Sequence, residues 1–232
     1  YLTQAGGAMA PALTARLLAA LPQARLFVMY GQTEATARLT WLAPERLQDK
    51  LGSVGVPVAG VHIEVRREDG SCAATDEVGE VWARGANVML GYWHNAQATA
   101  EVLQDGWLKT GDLGRLDADG VLWLSGRRSD MIKTGAHRVH PLDVEEAIAE
   151  LPGVVEVAVV GIDDALLGQV IKACIVRAGT LEENAVRAHC RARLAGYKIP
   201  KLVEFVDALP KTASGKIKRA ELAAAAASKG AS

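Results

Sequence analysis

Cysteine is scarce in this sequence, with 3 residues in 232, at Cys72, Cys174 and Cys190. None forms a Cys-x-x-Cys pair or lies at metal-ligand spacing from a histidine. This arrangement excludes a disulfide framework and a structural zinc site. Three scattered thiols are typical of a reducing compartment, so we expect a cytoplasmic protein in which each is a small structural or surface residue.

A strong charge of one sign is also lacking, because the formal net charge is −1. This balance gives no reason to expect nucleic acid or an anionic membrane as a partner. No apolar run reaches the roughly twenty residues that span a bilayer, and no signal-type segment opens the chain. Half of the residues are hydrophobic, enough for one large domain or two small ones. Since the first residue is Tyr1 rather than Met, we expect a fragment of a longer enzyme.

Hydrophobic periodicity predicts an α/β beginning followed by a β-rich segment. Residues 9–21 have the apolar spacing of an amphipathic helix, and residues 25–30 form a short apolar run typical of a buried strand. Residues 61–127 alternate and contain Asp-Gly hairpin signals. Within them, Asn95 is well placed to cap a short helix over 96–103.

The pattern changes near residues 126–130, where we place a domain boundary. Beyond it, the sequence predicts a strand at 131–139, a helix at 142–151 opened by Pro141, strands at 154–162 and 169–178, a helix at 181–194, a strand at 202–206, and a fraying helix and tail at 220–232. This β-α-β-β-α-β order indicates a small α+β domain of roughly 100 residues. We therefore expect an α/β and α+β chain, divided into 1–128 and 129–232.

Two polar, glycine-bearing segments of the first part carry groups suited to a nucleotide. In YGQTEAT (30–36), Thr33 offers a hydroxyl, Glu34 offers a carboxylate for a hard cation, and Tyr30 offers a ring that can stack on a base. In KTGDLGR (109–115), Asp112 follows a glycine and can accept both hydroxyls of a ribose. Taken alone, each segment is better explained as a structural turn, with a capping threonine in one and a turn aspartate in the other.

Two further segments are basic. GRRSDMIKTGAHRVHP (126–141) carries Arg127, which can pair with an anion, and Gly135, which leaves room beside the backbone for a narrow ligand. LPKTASGKIKR (209–219) presents Lys216, whose ammonium can stabilise a pentavalent phosphorus. The alternatives are a basic interdomain hinge with solvated arginines and a solvated basic loop.

In this order, the four segments resemble the successive signature motifs of the adenylate-forming superfamily, which includes acyl-CoA synthetases, luciferase-like enzymes and peptide-synthetase adenylation domains. The resemblance runs from about Gly6 to about Leu222 and includes lesser matches at 5–13 and 79–93. It implies a two-step reaction. A carboxylic acid and ATP give an acyl-adenylate and pyrophosphate, and a thiol, usually that of CoA, then displaces AMP. The implied cofactors are ATP, Mg²⁺ and CoA.

The resemblance also implies roles for the matching residues of the first part. Those implied in nucleotide binding are Tyr30 (stacked on adenine), Gly31, Gln32, Thr33 (α-phosphate), and Asp112 with Arg127 (ribose). Glu34 is implied as the Mg²⁺ ligand. The acyl and adenine pocket would be bordered by Gly6, Gly7 and Ala8.

In the second part, the resemblance implies a mobile lid that carries two catalytic lysines. Lys216 matches the lysine that bridges carboxylate and phosphate in adenylation, and Lys133 matches a lysine of the thioester step. Gly135 and Ala136 would line the tunnel for the pantetheine arm. Ser129 occupies the hinge position, where the family usually has Asp or Lys. Ala136 stands where many relatives have a second glycine, and its methyl group would narrow the tunnel.

One family feature is absent from the sequence, namely the Ser/Thr/Gly-rich loop with a lysine that holds the β- and γ-phosphates. We therefore expect the isolated chain not to support full ATP-dependent activation. The sequences of segments 132–147 and 210–219 resemble those of free-standing acyl- and aryl-CoA ligases, which act on a small-molecule acid. The alternatives are an adenylation domain that loads a carrier protein and a non-catalytic AMP-binding fragment.

Overall fold

The computed structural model describes residues 1–213 and 215–229, and the chain divides into two compact units. The first unit comprises Tyr1–Met9 and Arg16–Arg128, and the second comprises Ala10–Ala15 and the chain from Ser129 on. Sheets and helices are mixed throughout, which confirms the predicted α/β and α+β class. No helix of the described residues is long and apolar enough to cross a membrane.

A four-stranded sheet opens the first unit, in the order β1-β2-β3-β4. Its strands are β1 (Leu2–Gln4), β2 (Leu26–Tyr30), β3 (Thr40–Leu42) and β4 (Val56–Pro57). β1 and β2 are parallel and the other pairs are antiparallel. The connecting helix α1 (Pro11–Ala20) begins at a proline, whose fixed φ suits a first helical position. Its leucines at 17 and 18 pack against Leu26, Leu42 and Leu47.

A second, antiparallel sheet completes the first unit, in the order β5-β6-β8-β7 with β9 paired to β8. Its strands are β5 (Val61–Arg66), β6 (Gly79–Gly85), β7 (Leu103–Gln104), β8 (Trp107–Leu116) and β9 (Leu122–Arg127). Alternation buries one face of these strands around Val65, Val81 and Leu122. The predicted helix is α2 (Ala96–Val102), and the Asn95 side chain accepts a hydrogen bond from the backbone N–H of Ala98 as its cap.

The second unit has a five-stranded sheet with helices α3 (Pro141–Ala149), α4 (Glu183–Arg193) and α5 (Arg219–Lys229). The strands are β10 (Ile132–Thr134), β11 (His137–Val139), β12 (Val154–Asp164), β13 (Gly168–Arg177) and β14 (Leu202–Phe205). Both faces of β12 are buried. Val159 belongs to a cluster with residues of α3 and α4, whereas Ala158 and Val160 belong to a cluster with Leu222 of α5.

The prediction of a single strand over 131–139 is wrong. The segment is a hairpin of two three-residue strands, β10 and β11, in which Thr134 pairs with His137. The turn between them is Gly135-Ala136, and Gly135 has a φ of +57°. A positive φ at the first turn position suits the right-handed twist of paired strands and favours glycine. The predicted helix and tail at 220–232 fall on α5 as far as 229, and 230–232 lie outside the described residues.

Candidate functional site

Three of the predicted nucleotide-binding residues meet in the first unit. Tyr30 ends β2, Asp112 lies on β8, and Arg127 ends β9 directly opposite Asp112 in the antiparallel register. The Tyr30 hydroxyl donates a hydrogen bond to Asp112 Oδ2 at 2.7 Å. Arg127 Nε lies 3.1 Å from Asp112 Oδ1. A carboxylate has about four acceptor sites, so it can hold both donors and still accept hydroxyl groups.

Asp112 is held in a largely buried frame and is 7% exposed. Its backbone N–H donates to the Thr110 hydroxyl oxygen at 3.1 Å, and that hydroxyl donates to the Val81 carbonyl at 2.8 Å. Burial, and then the negative charge of Asp112, raise the pKa of the Tyr30 hydroxyl well above its usual value. Tyr30 is therefore a hydrogen-bond donor to Asp112 at neutral pH, and the cluster keeps one orientation.

The YGQTEAT segment leaves β2 as a tight loop around a short 3₁₀ helix, Thr33–Ala35. The Gln32 carbonyl accepts hydrogen bonds from the N–H groups of Ala35 and Ala37, at 3.0 and 2.9 Å. A Cβ atom at Gly31 would lie 2.6 Å from the Ala37 carbonyl oxygen, far inside van der Waals contact. Glycine is therefore required at position 31 by the close return of the backbone, whether or not a ligand is bound.

Glu34 extends from this 3₁₀ helix and is held by a tyrosine from a distant segment. The Tyr92 hydroxyl donates to Glu34 Oε1 at 2.8 Å, and this bond and burial raise the pKa of that hydroxyl. Among the described residues, no group of three His, Cys, Asp or Glu side chains could hold a metal ion by itself. A magnesium ion at Glu34 would take its remaining ligands from phosphate oxygens and water, as Mg²⁺ commonly does.

The Asn87 side chain forms hydrogen bonds with the same loop. The sequence alone did not predict a role for this residue. Its Nδ2 donates to the carbonyl oxygens of Ala35 and Arg38, at 3.0 and 2.8 Å. The Thr36 hydroxyl donates to the Asn87 carbonyl at 2.7 Å. Thr36 and Ala37 have φ values of 53° and 63°, which non-glycine residues adopt at a cost. The lesser motif at 79–93 therefore serves, in part, to hold the first motif in shape.

The segment Gly6-Gly7-Ala8 follows β1 in an open conformation. Gly6 has a φ of +91°, and a Cβ atom at Gly6 or Gly7 would have no neighbour within 4 Å. The Gln4 side chain donates a hydrogen bond to the Gly7 carbonyl. Glycine at position 6 is therefore explained by its backbone conformation rather than by close packing.

In the second unit, Lys133 and Gly135 belong to the β10–β11 hairpin. Lys133 is exposed and pairs across the hairpin with Arg138. The Lys133 N–H donates to Gln169 Oε1 at 2.9 Å, and the Gly135 N–H donates to the Leu167 carbonyl at 2.8 Å. The positive φ of the turn favours glycine at position 135, and exposed Ala136 follows it.

Lys216 lies in a loop that closes on itself before α5. The Thr212 N–H donates to the Lys216 carbonyl at 2.8 Å, and the Lys216 N–H donates to the Thr212 hydroxyl oxygen at 3.1 Å. Leu209 and Ile217, on either side, join the apolar cluster beneath α5. The lysine side chain is exposed. The loop thus fixes the backbone of Lys216 and leaves its ammonium group accessible.

Ser129, the predicted hinge, lies in the 3₁₀ helix Arg128–Asp130 at the start of the second unit. Its hydroxyl is 3.0 Å from Asp130 Oδ1. The structure thus gathers Tyr30, Asp112 and Arg127 into one cluster of the first unit, with Glu34 in the loop that follows Tyr30. Lys133, Ser129 and Lys216 belong to the second unit.

Comparison with known proteins gives matches over most of the chain. A model of the family described as "AMP-binding enzyme" matches residues 1–93, and a model described as "AMP-binding enzyme C-terminal domain" matches residues 143–216. A 2-succinylbenzoate–CoA ligase of Geobacillus kaustophilus is 42% identical over 199 residues, covering 85% of this chain and 40% of that protein. A long-chain-fatty-acid–CoA ligase of Yersinia pestis is 42% identical over 194 residues, covering 83% and 34%.

A solved structure is also similar to the chain. The o-succinylbenzoate CoA synthetase of Bacillus subtilis, in complex with the acyl-adenylate intermediate OSB-AMP, has a TM-score of 0.87 and 35% sequence identity. The match covers 95% of this chain and 45% of that one. The chain thus spans less than half the length of these relatives.

Proposed function

Because the chain belongs to the adenylate-forming superfamily of AMP-binding enzymes, we propose that it takes part in the ATP-dependent ligation of a carboxylic acid to CoA. The observation that carries this proposal is the cluster of Tyr30, Asp112 and Arg127, joined by contacts of 2.7 and 3.1 Å although 82 residues separate Tyr30 from Asp112. A carboxylate flanked by a neutral donor and a cation is suited to accept the two hydroxyls of a ribose.

The loop at 30–36, which begins with Tyr30, carries groups suited to the other parts of a nucleotide. We propose that the Tyr30 ring stacks on adenine beside Gly31 and Gln32, and that the Thr33 hydroxyl contacts the α-phosphate. Glu34 would hold Mg²⁺, which supplies charge neutralisation at the phosphate oxygens. The hydrogen bond from Tyr92 orients Glu34 for this task.

In the first step, a carboxylate oxygen of the acid attacks the α-phosphorus of ATP. The bond between that phosphorus and the bridging oxygen breaks, and pyrophosphate leaves with the electron pair. The ammonium group of Lys216 would contact both the acid oxygen and the α-phosphate, opposing the negative charge that gathers at the pentavalent phosphorus. Its exposed position on a self-closed loop supports this role.

In the second step, the CoA thiol loses its proton to solvent and its sulfur attacks the acyl carbon, and AMP leaves with the electron pair of the broken C–O bond. Lys133 would assist this step, with Gly135 and Ala136 beside the pantetheine arm. Because one reaction centre must meet two lysines in turn, we propose that the second unit acts as a lid that rotates about Ser129 between the steps.

Gly6, Gly7 and Ala8 are proposed to border the acid. Apart from the loop at 209–219, which is assigned to the α-phosphate through Lys216, residues 1–232 contain no Ser/Thr/Gly-rich loop with a lysine that would hold the β- and γ-phosphates. We therefore propose that the chain needs further residues to release pyrophosphate. CoA is the proposed acceptor, and a carrier-protein thiol is the alternative acceptor that the test includes.

The test is acid-dependent pyrophosphate release by the product of the complete gene, with fatty, aryl and amino acids as substrates. We expect release with at least one class of acid, a loss of about a hundredfold in Lys216→Ala (about 2.7 kcal/mol of barrier), and none from residues 1–232 alone. Thioester formation is then measured with CoA and with a phosphopantetheinyl carrier protein. If no acid supports release, or if Lys216→Ala releases pyrophosphate as the wild type does, the proposed function is wrong.

A further inference from the structure

Arg219 is the first residue of α5 and follows Lys216 by three positions. We propose that Arg219 is a positioning residue of the adenylation step, which ties the segment carrying Lys216 to the buried framework of the second unit. This inference rests on the function proposed above, because it assigns Arg219 to the step that Lys216 serves.

The partner of Arg219 is a deeply buried carboxylate on α3. Arg219 Nη2 donates to both oxygens of Glu145, at 2.7 and 2.8 Å, and Glu145 is 8% exposed. Glu145 Oε1 also accepts a hydrogen bond from the Val159 N–H of β12 at 2.8 Å. Burial raises the pKa of Glu145, and the charge of Arg219 opposes that rise. The pair therefore joins the start of α5 to both α3 and the central sheet.

The same guanidinium also reaches the beginning of the unit. Arg219 Nε lies 3.6 Å from Asp130 Oδ2, and Asp130 directly follows the proposed hinge residue Ser129. Arg219 thus hydrogen-bonds to α3 from the end of the Lys216 loop, and its charge lies near Asp130 without a hydrogen bond from Nε.

The remaining contacts of the loop set its shape but are weaker as anchors. They include backbone hydrogen bonds within 210–218, the packing of Leu209 and Ile217, and a solvent-exposed ion pair between Lys211 and Glu156 of β12. A buried, charge-assisted hydrogen bond is stronger than an exposed ion pair, which water and salt screen, and more directional than apolar packing. A displacement of about 1 Å at a catalytic group can cost about a hundredfold in rate. Release of Arg219 is therefore expected to act through the position of Lys216.

The thioester step serves as a reference. If Arg219 positions only Lys216, its loss should leave the rate of thioester formation unchanged. This step is assigned to Lys133 on β10. Arg219 Nε lies 3.6 Å from Asp130, which precedes this strand, but the hairpin of Lys133 is held by hydrogen bonds from the Lys133 and Gly135 N–H groups to Gln169 and Leu167, which do not involve Arg219. A general loss of folding would slow both steps, whereas displacement of Lys216 would slow adenylation alone.

The experiment compares the two half-reactions in the product of the complete gene, namely pyrophosphate release and CoA thioester formation from supplied acyl-adenylate. The main variant is Glu145→Gln with Arg219→Met. It removes the buried charge together with its partner and keeps an acceptor for the Val159 N–H, so that the fold survives the loss of the pair. We expect adenylation to fall by about tenfold or more, a barrier increase of about 1.4 kcal/mol, with thioester formation within about twofold of the wild type.

Arg193→Met is the matched control, because Arg193 Nε pairs with Glu150, directly after α3, at 2.5 Å without touching the Lys216 loop. It should leave both half-reactions unchanged. The proposal is overturned if the double variant adenylates normally while Lys216→Ala does not, or if its two half-reactions fall together. If Lys216→Ala itself adenylates normally, the proposed function fails and this inference fails with it.

Discussion

Asp112 brings together groups from three separate strands, since Tyr30 comes from β2 and Arg127 from β9. Each contact constrains the other, because the carboxylate cannot rotate without losing its contact with Tyr30 or with Arg127. Arg219 and Glu145 play a similar part in the second unit, where their ion pair joins the start of α5 to α3, and Glu145 also bonds to β12. In both cases a buried carboxylate supplies the rigidity, which is how proteins hold functional groups in a productive geometry.

Glu146 gives a prediction about pH. Burial, followed by the charges of Asp143, Glu145 and Glu150, raises the pKa of its carboxyl to about 7. A raised carboxyl pKa means that stability is highest while the group is neutral and is lost as pH rises from the unfolded pKa towards 7. We expect Glu146→Gln to stabilise the second unit by about 1–3 kcal/mol at pH 8 and by much less at pH 5.

Unfolding in urea at the two pH values measures this effect. All 5 tryptophans precede residue 128, so their fluorescence reports the first unit, whereas circular dichroism reports both units. An equal shift of the dichroism transition at pH 5 and pH 8 would contradict the predicted ionisation of Glu146.

At the scale of elements, the loop after β2 depends on the segment at 87–92. Loss of the Asn87 amide in Asn87→Ala removes two hydrogen bonds to Ala35 and Arg38. We expect the first unit to lose about 1–3 kcal/mol. We also expect AMP binding to weaken by about tenfold, 1.4 kcal/mol, because Thr33 and Glu34 lie within that loop. Tryptophan fluorescence in urea and titration calorimetry measure the two effects.

Asn95→Ala is the matched control for this variant. It removes the cap of α2, at a cost of about 1 kcal/mol, without touching the loop. If the control weakens AMP binding as much as Asn87→Ala does, the hydrogen bonds of Asn87 have no specific role in AMP binding.

The elements also show what the sequence could and could not predict. Long strands were predicted well, because β12 and β13 each offer at least ten residues of apolar pattern. The hairpin of β10 and β11 was missed, since three residues are too few to show alternation and Gly-Ala is a weak turn signal. The motifs predicted which residues matter, but not that Tyr30 donates to Asp112. That contact depends on how two sheets of the first unit pack, which periodicity does not encode. Asn87 was overlooked for the same reason. Arg219 was seen only as one of several basic residues beside Lys216, because its contact with Glu145 joins helices that are 74 residues apart in the sequence.

At the scale of the whole molecule, the proposed nucleotide-binding residues and the proposed catalytic lysines belong to different units. This division is compatible with the two-step reaction proposed above, in which Lys216 and Lys133 act in different steps. The match of separate family models to residues 1–93 and 143–216 follows the same division.

The central claim is that the Asp112 cluster binds the ribose of the nucleotide, and titration calorimetry of AMP with the product of the complete gene tests it most directly. Asp112→Asn keeps the size of the side chain, and Asp119→Asn removes an exposed carboxylate beyond the end of the same strand as a control. We predict about a hundredfold weaker binding in Asp112→Asn, 2.7 kcal/mol, and no change in the control. Equal affinity in wild type and Asp112→Asn, with the fold intact, would contradict the account.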